Sequence, residues 1–261
     1  MYNITSALFF RSSSAVAIGR RRLFSETVYS ISSSHWLHAK KTSLFRCPIL
    51  KAKAMVSFTT EAEEKQKPWL FVGLGNPGKR YNGTRHNVGF ELVDLIAEAE
   101  GIAMRTISFR SSFGKGFIGD VPVMLAKPQT FMNASGESVG AIVSYYKIPL
   151  KQVLVIFDDM DLPFAKLRVL PKGGHGGHNG MRSIINHLKG SRDFPRLRIG
   201  IGRPPGKMDP INFVLRPFNR EEREELDFTF QYGLEAVRKL VQEDFNRSAS
   251  FVNSAKSLGT L

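Results

Sequence analysis

The sequence holds one cysteine, Cys47, among 261 residues. A single thiol closes no disulfide within the chain, and Cys47 stands outside the stretch that patterns as folded. A disulfide framework, thiolate catalysis and cysteine-based metal sites are therefore excluded. No uncharged apolar run reaches the ~18 residues that a membrane-spanning helix needs. Acids are almost missing from residues 1–55, which carry nine Lys and Arg against Glu26 alone. This Ser- and Arg-rich, acid-poor composition is that of an organelle transit peptide, and its charges interrupt the apolar stretch a secretory signal requires. A basic tail binding RNA directly is the plainer alternative. The serines lean towards a plastid, and Arg20-Arg-Arg-Leu-Phe-Ser25 towards a mitochondrion. Residues 56–67 read as a charged linker, with Glu61, Glu63, Glu64, Lys65 and Lys67 ahead of Pro68.

What remains is a moderately basic body with no internal repeat. Its positive balance suits a polyanionic partner without requiring one. Trp69 to Val72 is a short apolar run expected to form a buried strand. It breaks at Gly73-Leu-Gly-Asn-Pro-Gly78, then delivers Lys79, Arg80, Tyr81, Arg85, His86 and Asn87. Val88, Leu92, Leu95, Ile96 and Ala99 follow at helical spacing. Residues 107–120 are of mixed strand and turn character, and Val121 to Ala126 reads as a strand. The polar turn Lys127–Gly136 leads to a helix with Val139, Ile142, Val143 and Tyr146 on one face. Val153 to Phe157 reads as a strand ending in Asp158, Asp159 and Asp161. A second glycine-rich stretch, Gly173–Gly180, opens a helix with Met181, Ile184, Ile185 and Leu188. Leu197 to Ile201 is the last expected strand. Residues 203–217 read as a Pro-rich loop, and Asn219 with Glu222 as a capping box ahead of a long helix. Residues 246–261 read as a frayed C-terminal tail, leaving 68–245 as the folded body. Strands alternating with helices predict a single α/β domain, a mixed, mostly parallel twisted sheet with helices on both faces.

Gly73-Leu-Gly-Asn-Pro-Gly78 spells a dinucleotide fingerprint, but Pro77 and the polar stretch behind it delay the helix that fingerprint needs at once. A P-loop fails as well, because Arg80 stands where a Ser or Thr would hold magnesium. A metal site built from the acids with His175 and His178 lacks a helical scaffold and is set aside. Loops after separate strands converge at one sheet edge, so His86, the Asp158 cluster, Asn133 and His178-Asn179 are expected to share a pocket. A histidine oriented by a carboxylate is a general base near neutral pH. Asparagine amides hold substrate N–H groups or an oxyanion. With no serine or cysteine placed as nucleophile, water is the expected attacker. The bland reading of His86 is a surface or capping histidine. For the basic cluster of Arg168, Lys172, Arg182, Arg196, Arg198 and Arg203, a solvated face stands against phosphate contact.

Five ordered motifs together resemble the bacterial-type peptidyl-tRNA hydrolase family: Val72–Gly78; Tyr81 with His86-Asn87-x-Gly89-Phe90; Lys127–Gly136; Asp158-x-x-Asp161-Leu-Pro163; and Gly173–Gly180. Phe194-x-Arg-Leu-Arg-Ile-Gly-Ile-Gly202 agrees. The resemblance implies hydrolysis of the ester joining a peptide to the terminal ribose of tRNA, by a monomer without cofactor or metal. It implies that His86 activates water and Asp158 orients His86. Asn76, Asn133 and Asn179 would hold the peptide backbone and the 3′ end, and Tyr81, Phe131, Met132 and His178 would line the channel. The family grips the tRNA 5′-phosphate with two basic residues. Arg198 matches one, and the other falls on Leu170, for which Arg168 or Lys172 is expected to compensate. The sequence is also similar to a plant branch of the family that serves plastid group II intron splicing through a partner protein. Asp161 and Gly177 stand closer to the hydrolases. The expected address is the chloroplast stroma, with the mitochondrion as alternative.

Overall fold

In the computed structural model, which describes residues 66–254, the apolar run Trp69–Gly73 is β1, held between two parallel neighbours. The chain leaves it through two short 3₁₀ turns, Lys79–Tyr81 and Arg85–Asn87, before helix α1, Val88–Ala99. Strands β2 (Thr106–Ser108), β3 (Ser111–Ile118) and β4 (Val121–Pro128) form an antiparallel meander. Helix α2 (Ser135–Tyr146) leads to β5 (Val153–Asp159), then to β6 (Leu167–Leu170), helix α3 (Asn179–His187) and β7 (Arg196–Gly200). Three helices close the described chain: α4 (Pro210–Val214), α5 (Arg220–Gln242) and α6 (Phe245–Ser254). The transit-peptide reading of residues 1–55 lies outside the described residues, as do 56–65 and 255–261.

The seven strands form one sheet in the order β2-β3-β4-β1-β5-β7-β6. Strands β4, β1, β5 and β7 are parallel, and the antiparallel pairs lie at both sides. The chain crosses from one side of β1 to the other between β4 and β5. In an open α/β sheet such a reversal leaves a crevice at the strands' carboxyl ends. Alternation along each strand divides the core in two. Leu154 and Ile156 of β5 face the layer built with α1, α5 and α6. Val153, Val155 and Phe157 face the layer built with α2 and α3. Helices on both faces of a mixed sheet are the architecture the sequence predicts.

Two glycines explain how α1 reaches the sheet edge. A Cβ on Gly73 would lie 2.2 Å from the Gly89 carbonyl oxygen, and one on Gly89 would lie 2.4 Å from the Ile156 carbonyl oxygen. Only bare backbone permits that approach, so these glycines serve helix-on-strand packing rather than a phosphate. Three local readings are corrected. The loop 203–217 contains α4, whose N-cap Asp209 accepts from the Asn212 N–H and whose first residue is Pro210. Residues 167–170 form an edge strand that the sequence reading did not isolate. Residues 246–254, expected to fray, belong to α6, which buries Ser248 and Val252. The capping box at Asn219 and Glu222 is present as expected.

Candidate active site

The site is built at the carboxyl end of β5. Side-chain alternation puts Asp158 on the face of Leu154 and Ile156, where the turn ahead of α1 presents His86. His86 Nδ1 lies 2.8 Å from Asp158 Oδ1 and 3.0 Å from Oδ2. The carboxylate is 2% exposed and the imidazole 12%. Because Asp158 accepts at Nδ1, the neutral imidazole carries its proton there and its lone pair at Nε2. Nε2 makes no hydrogen bond among the described residues. His178 reaches the same carboxylate from the start of α3, with Nε2 3.0 Å from Asp158 Oδ1. The two imidazole centroids are 5.0 Å apart, and Phe157 packs edge-on against His178, also at 5.0 Å.

The electrostatics follow from this burial. Desolvation alone would lower the His86 pKa, but the charge of Asp158 and its hydrogen bond offset that and raise it above 6.5. Burial likewise works against the Asp158 charge. The charges and hydrogen bonds of the two imidazoles outweigh it and hold the carboxyl well below the usual carboxylate range. Ligand atoms of His86, Asp158 and His178 lie within 4.8 Å of one another. They are spent on one another, and His178 Nδ1 accepts the Met181 N–H at 3.2 Å. A cation bound at His178 Nε2 would push the proton onto Nδ1 and cost α3 its cap. His175, which belonged to the metal arrangement set aside on sequence grounds, is not part of this trio. Its Nδ1 accepts from the Gly177 N–H at 3.0 Å.

A cavity of about 520 Å³ opens beside the trio. His86, Asp158, His178, Asn179 and Arg198 line it, together with Leu170 and the glycine loop 173–177. Pro210, Ile211 and Val214 of α4 form an apolar wall. The sequence carried a signal for that wall in Asp209-Pro210, hidden within a Pro-rich stretch. Asn76, Tyr81, Phe131, Met132 and Asn133 are not among the lining residues. Asn76 is buried in a neighbouring network. Its N–H donates to Asn87 Oδ1 at 2.8 Å, Asn87 Nδ2 returns to its carbonyl at 3.0 Å, and its own Oδ1 accepts the Met132 N–H at 2.8 Å. The Asn76 side-chain NH₂ makes no hydrogen bond among the described residues. Asn87, absent from the sequence-derived site, is thus what locks the opening loop. Met132 is buried, while Phe131 and Asn133 are exposed beside it. Tyr81 is half-buried, under the Arg80 guanidinium.

The basic cluster divides. Arg198 gives its Nε–H to Asp159, and Arg203 pairs with Asp161. Arg168 is exposed, and its Cα is the register partner of Arg198 across β6 and β7. Arg196 is 1% exposed and belongs to no solvated face. It donates to the carbonyls of Gly173 and Gly174 at 2.7 and 2.9 Å and to that of Arg192 at 3.0 Å. Burial and the neighbouring Arg198 charge lower its pKa to about 10. It holds the glycine loop that carries His178.

Comparison with known proteins places this arrangement within a family. The family model described as peptidyl-tRNA hydrolase matches residues 70–259. The Arabidopsis thaliana protein named peptidyl-tRNA hydrolase, chloroplastic, is 72% identical over 209 residues, covering 80% of this chain and 73% of its own. The Oryza sativa protein named peptidyl-tRNA hydrolase, mitochondrial, is 76% identical, covering 73% of this chain and 76% of its own. A Zea mays chloroplastic group IIB intron splicing facilitator is 55% identical, covering 71% of this chain and 73% of its own. Among solved structures, peptidyl-tRNA hydrolase from Acinetobacter baumannii superposes with a TM-score of 0.69 at 37% identity, covering 73% of this chain and 97% of that one. With the motifs, the sheet order and these likenesses in agreement, the chain belongs to the peptidyl-tRNA hydrolase family.

Proposed function

We propose that the chain hydrolyses the ester of peptidyl-tRNA, releasing peptide and free tRNA, with His86 as general base. The observation that carries this reading is the 2.8 Å contact between His86 Nδ1 and Asp158, which leaves the Nε2 lone pair for a water molecule. In the proposed step, water oxygen bonds to the ester carbonyl carbon as its proton passes to Nε2. Collapse of the tetrahedral intermediate breaks the carbon–oxygen bond to the ribose, whose oxygen takes the proton back. General-base assistance of this kind contributes about 10²–10⁴-fold. Asn76, Asn133 and Asn179 hold the peptide backbone and the 3′ end, and an amide donor to the oxyanion adds about 10²–10³-fold. Tyr81, Phe131, Met132 and His178 shape the channel. Arg198 and Arg168, in register on neighbouring strands, bind phosphate where Leu170 leaves the usual pair incomplete. The protein works as a monomer without cofactor. The names of the two plant relatives support an organellar address, which we place in the chloroplast stroma, with the mitochondrion as alternative. Residues 1–55 serve as the transit peptide, and no described helix is long and apolar enough to cross a membrane.

The likeness to splicing facilitators supports a second reading, a non-enzymatic factor for plastid group II introns acting with a partner protein and intron RNA. The 72–76% identity to proteins named as hydrolases favours the enzyme. The test is turnover of an N-blocked aminoacyl-tRNA by the purified full chain, without added metal. Multiple turnover supports the enzyme. A folded chain without turnover that co-purifies with a partner protein and intron RNA overturns it.

A further inference from the structure

His178 makes two hydrogen bonds that together fix its proton. Its Nδ1 accepts the Met181 N–H at 3.2 Å, capping α3. A neutral imidazole that accepts at Nδ1 carries its proton on Nε2. That N–H therefore donates to Asp158 Oδ1, at 3.0 Å. The same oxygen accepts from His86 Nδ1 at 2.8 Å. Two histidines from separate elements thus donate to one carboxylate oxygen. Neither ring nitrogen of His178 is left to take a proton from water, so a second base is not its role.

We propose that His178 is a positioning residue for His86: from the start of α3 it holds Asp158 in place and draws off part of the carboxylate charge that would otherwise act on the His86 imidazole. The proposal rests on reading His86 as the base. A carboxylate that orients one histidine alone binds its imidazolium strongly and turns it into a sluggish proton donor in the second half of the reaction. A second N–H on the carboxylate weakens that grip while keeping the geometry, because the positive end of the His178 dipole faces Asp158 and His86 together. The remaining charged and titratable groups around the cavity are Asp159 on β5, Asp161 behind it, His175 in the glycine loop, and Arg196 and Arg198 on β7. From α4 the wall offers only Pro210, Ile211 and Val214, none of which titrates.

The test separates the cap from the donation to Asp158. His178→Asn keeps a favoured capping side chain for α3, but is too short to reach Asp158. In the full chain, the NMR titration midpoint of the His86 imidazole and the acidic limb of turnover on an N-blocked aminoacyl-tRNA both move upward by about half to one pH unit, the size of one net hydrogen bond. His178→Phe keeps the ring volume and drops both bonds. It moves the NMR midpoint the same way, and decides the matter if the Asn variant does not fold. A midpoint that stays at the wild-type value, or falls, overturns the proposal. An NMR midpoint that moves while the kinetic limb stays leaves the coupling intact and removes His86 from the role of base.

Discussion

At the scale of single residues, the chemistry rests on which imidazole nitrogen is free. Asp158 takes the proton-bearing nitrogen of His86, and Met181 with Asp158 takes both nitrogens of His178. One lone pair, His86 Nε2, is left facing the cavity. Its availability depends on pH with a definite sign. Burial disfavours the charged ring, but Asp158 prevails and raises the pKa above 6.5. The base works only when neutral, so activity is full above that raised value and falls as pH drops through it. The pH profile of kcat/KM is expected to have an acidic limb whose midpoint lies above 6.5. A limb at or below the ordinary value would mean that Asp158 does not act on His86 in solution. Not all of this was legible from residue types. The sequence marks His86, Asp158, His178 and the asparagines as chemistry-bearing, but leaves Asn87 among the loop residues. An asparagine whose role is to pair with the backbone of Asn76, eleven positions away, leaves no local signal.

At the scale of elements, the glycines decide where the catalytic turn sits. Gly89 lies where α1 crosses β1 and β5, with the Leu74 backbone nitrogen 2.6 Å and the Ile156 carbonyl oxygen 2.4 Å from any Cβ placed there. Both neighbours are backbone and neither swings aside. Gly89→Ala is therefore expected to destabilise the fold by about 3 kcal/mol, at the upper end of overpacking costs. Urea unfolding measures it. A loss below ~0.5 kcal/mol, the size of an ordinary surface change, would show that the helix shifts freely and that His86 is not fixed by this contact. The long periodic helices and the buried parallel strands were legible, since their apolar spacing repeats over several turns or residues. The β2–β3 hairpin was not. Its turn residues Phe109 and Arg110 adopt φ of 53° and 56°, where Asn and Gly are the usual signals. Strand β6 has four residues and alternates with only two inward positions, too short for a periodic reading.

At the scale of the whole described molecule, the cavity depends on contacts far apart in sequence. Arg85, next to His86, donates from Nη2 to both carboxylate oxygens of Glu222 at 2.6 and 2.7 Å and from Nη1 to the Pro217 carbonyl. Its guanidinium lies 4.6 Å over Phe213 of α4. The turn that carries the base, the apolar wall and the start of α5 are therefore joined through one side chain. At the other end, Asn253 of α6 covers the outer edge of β6, its Oδ1 accepting the Val169 N–H at 3.0 Å and its Nδ2 donating to the Val169 carbonyl at 2.9 Å. Asn253→Ala leaves both backbone groups without these partners and is expected to lower stability by about 1–2 kcal/mol. A melting curve indistinguishable from wild type would show that solvent serves that edge equally well. Composition concealed this helix, because its Ser- and Asn-rich sequence resembles a tail. Its packing is decided by β6 and α5 rather than by its own propensity.

The most direct measurement is single-turnover cleavage of an N-blocked aminoacyl-tRNA by the His86→Ala variant, with circular dichroism and urea unfolding run on the same preparation. His86 is partly exposed and, among the described residues, its side chain is bonded only to Asp158, so the variant is expected to fold while its rate falls by about 10²–10⁴-fold. A folded variant that cleaves within a few-fold of the wild-type rate would contradict the assignment of the base.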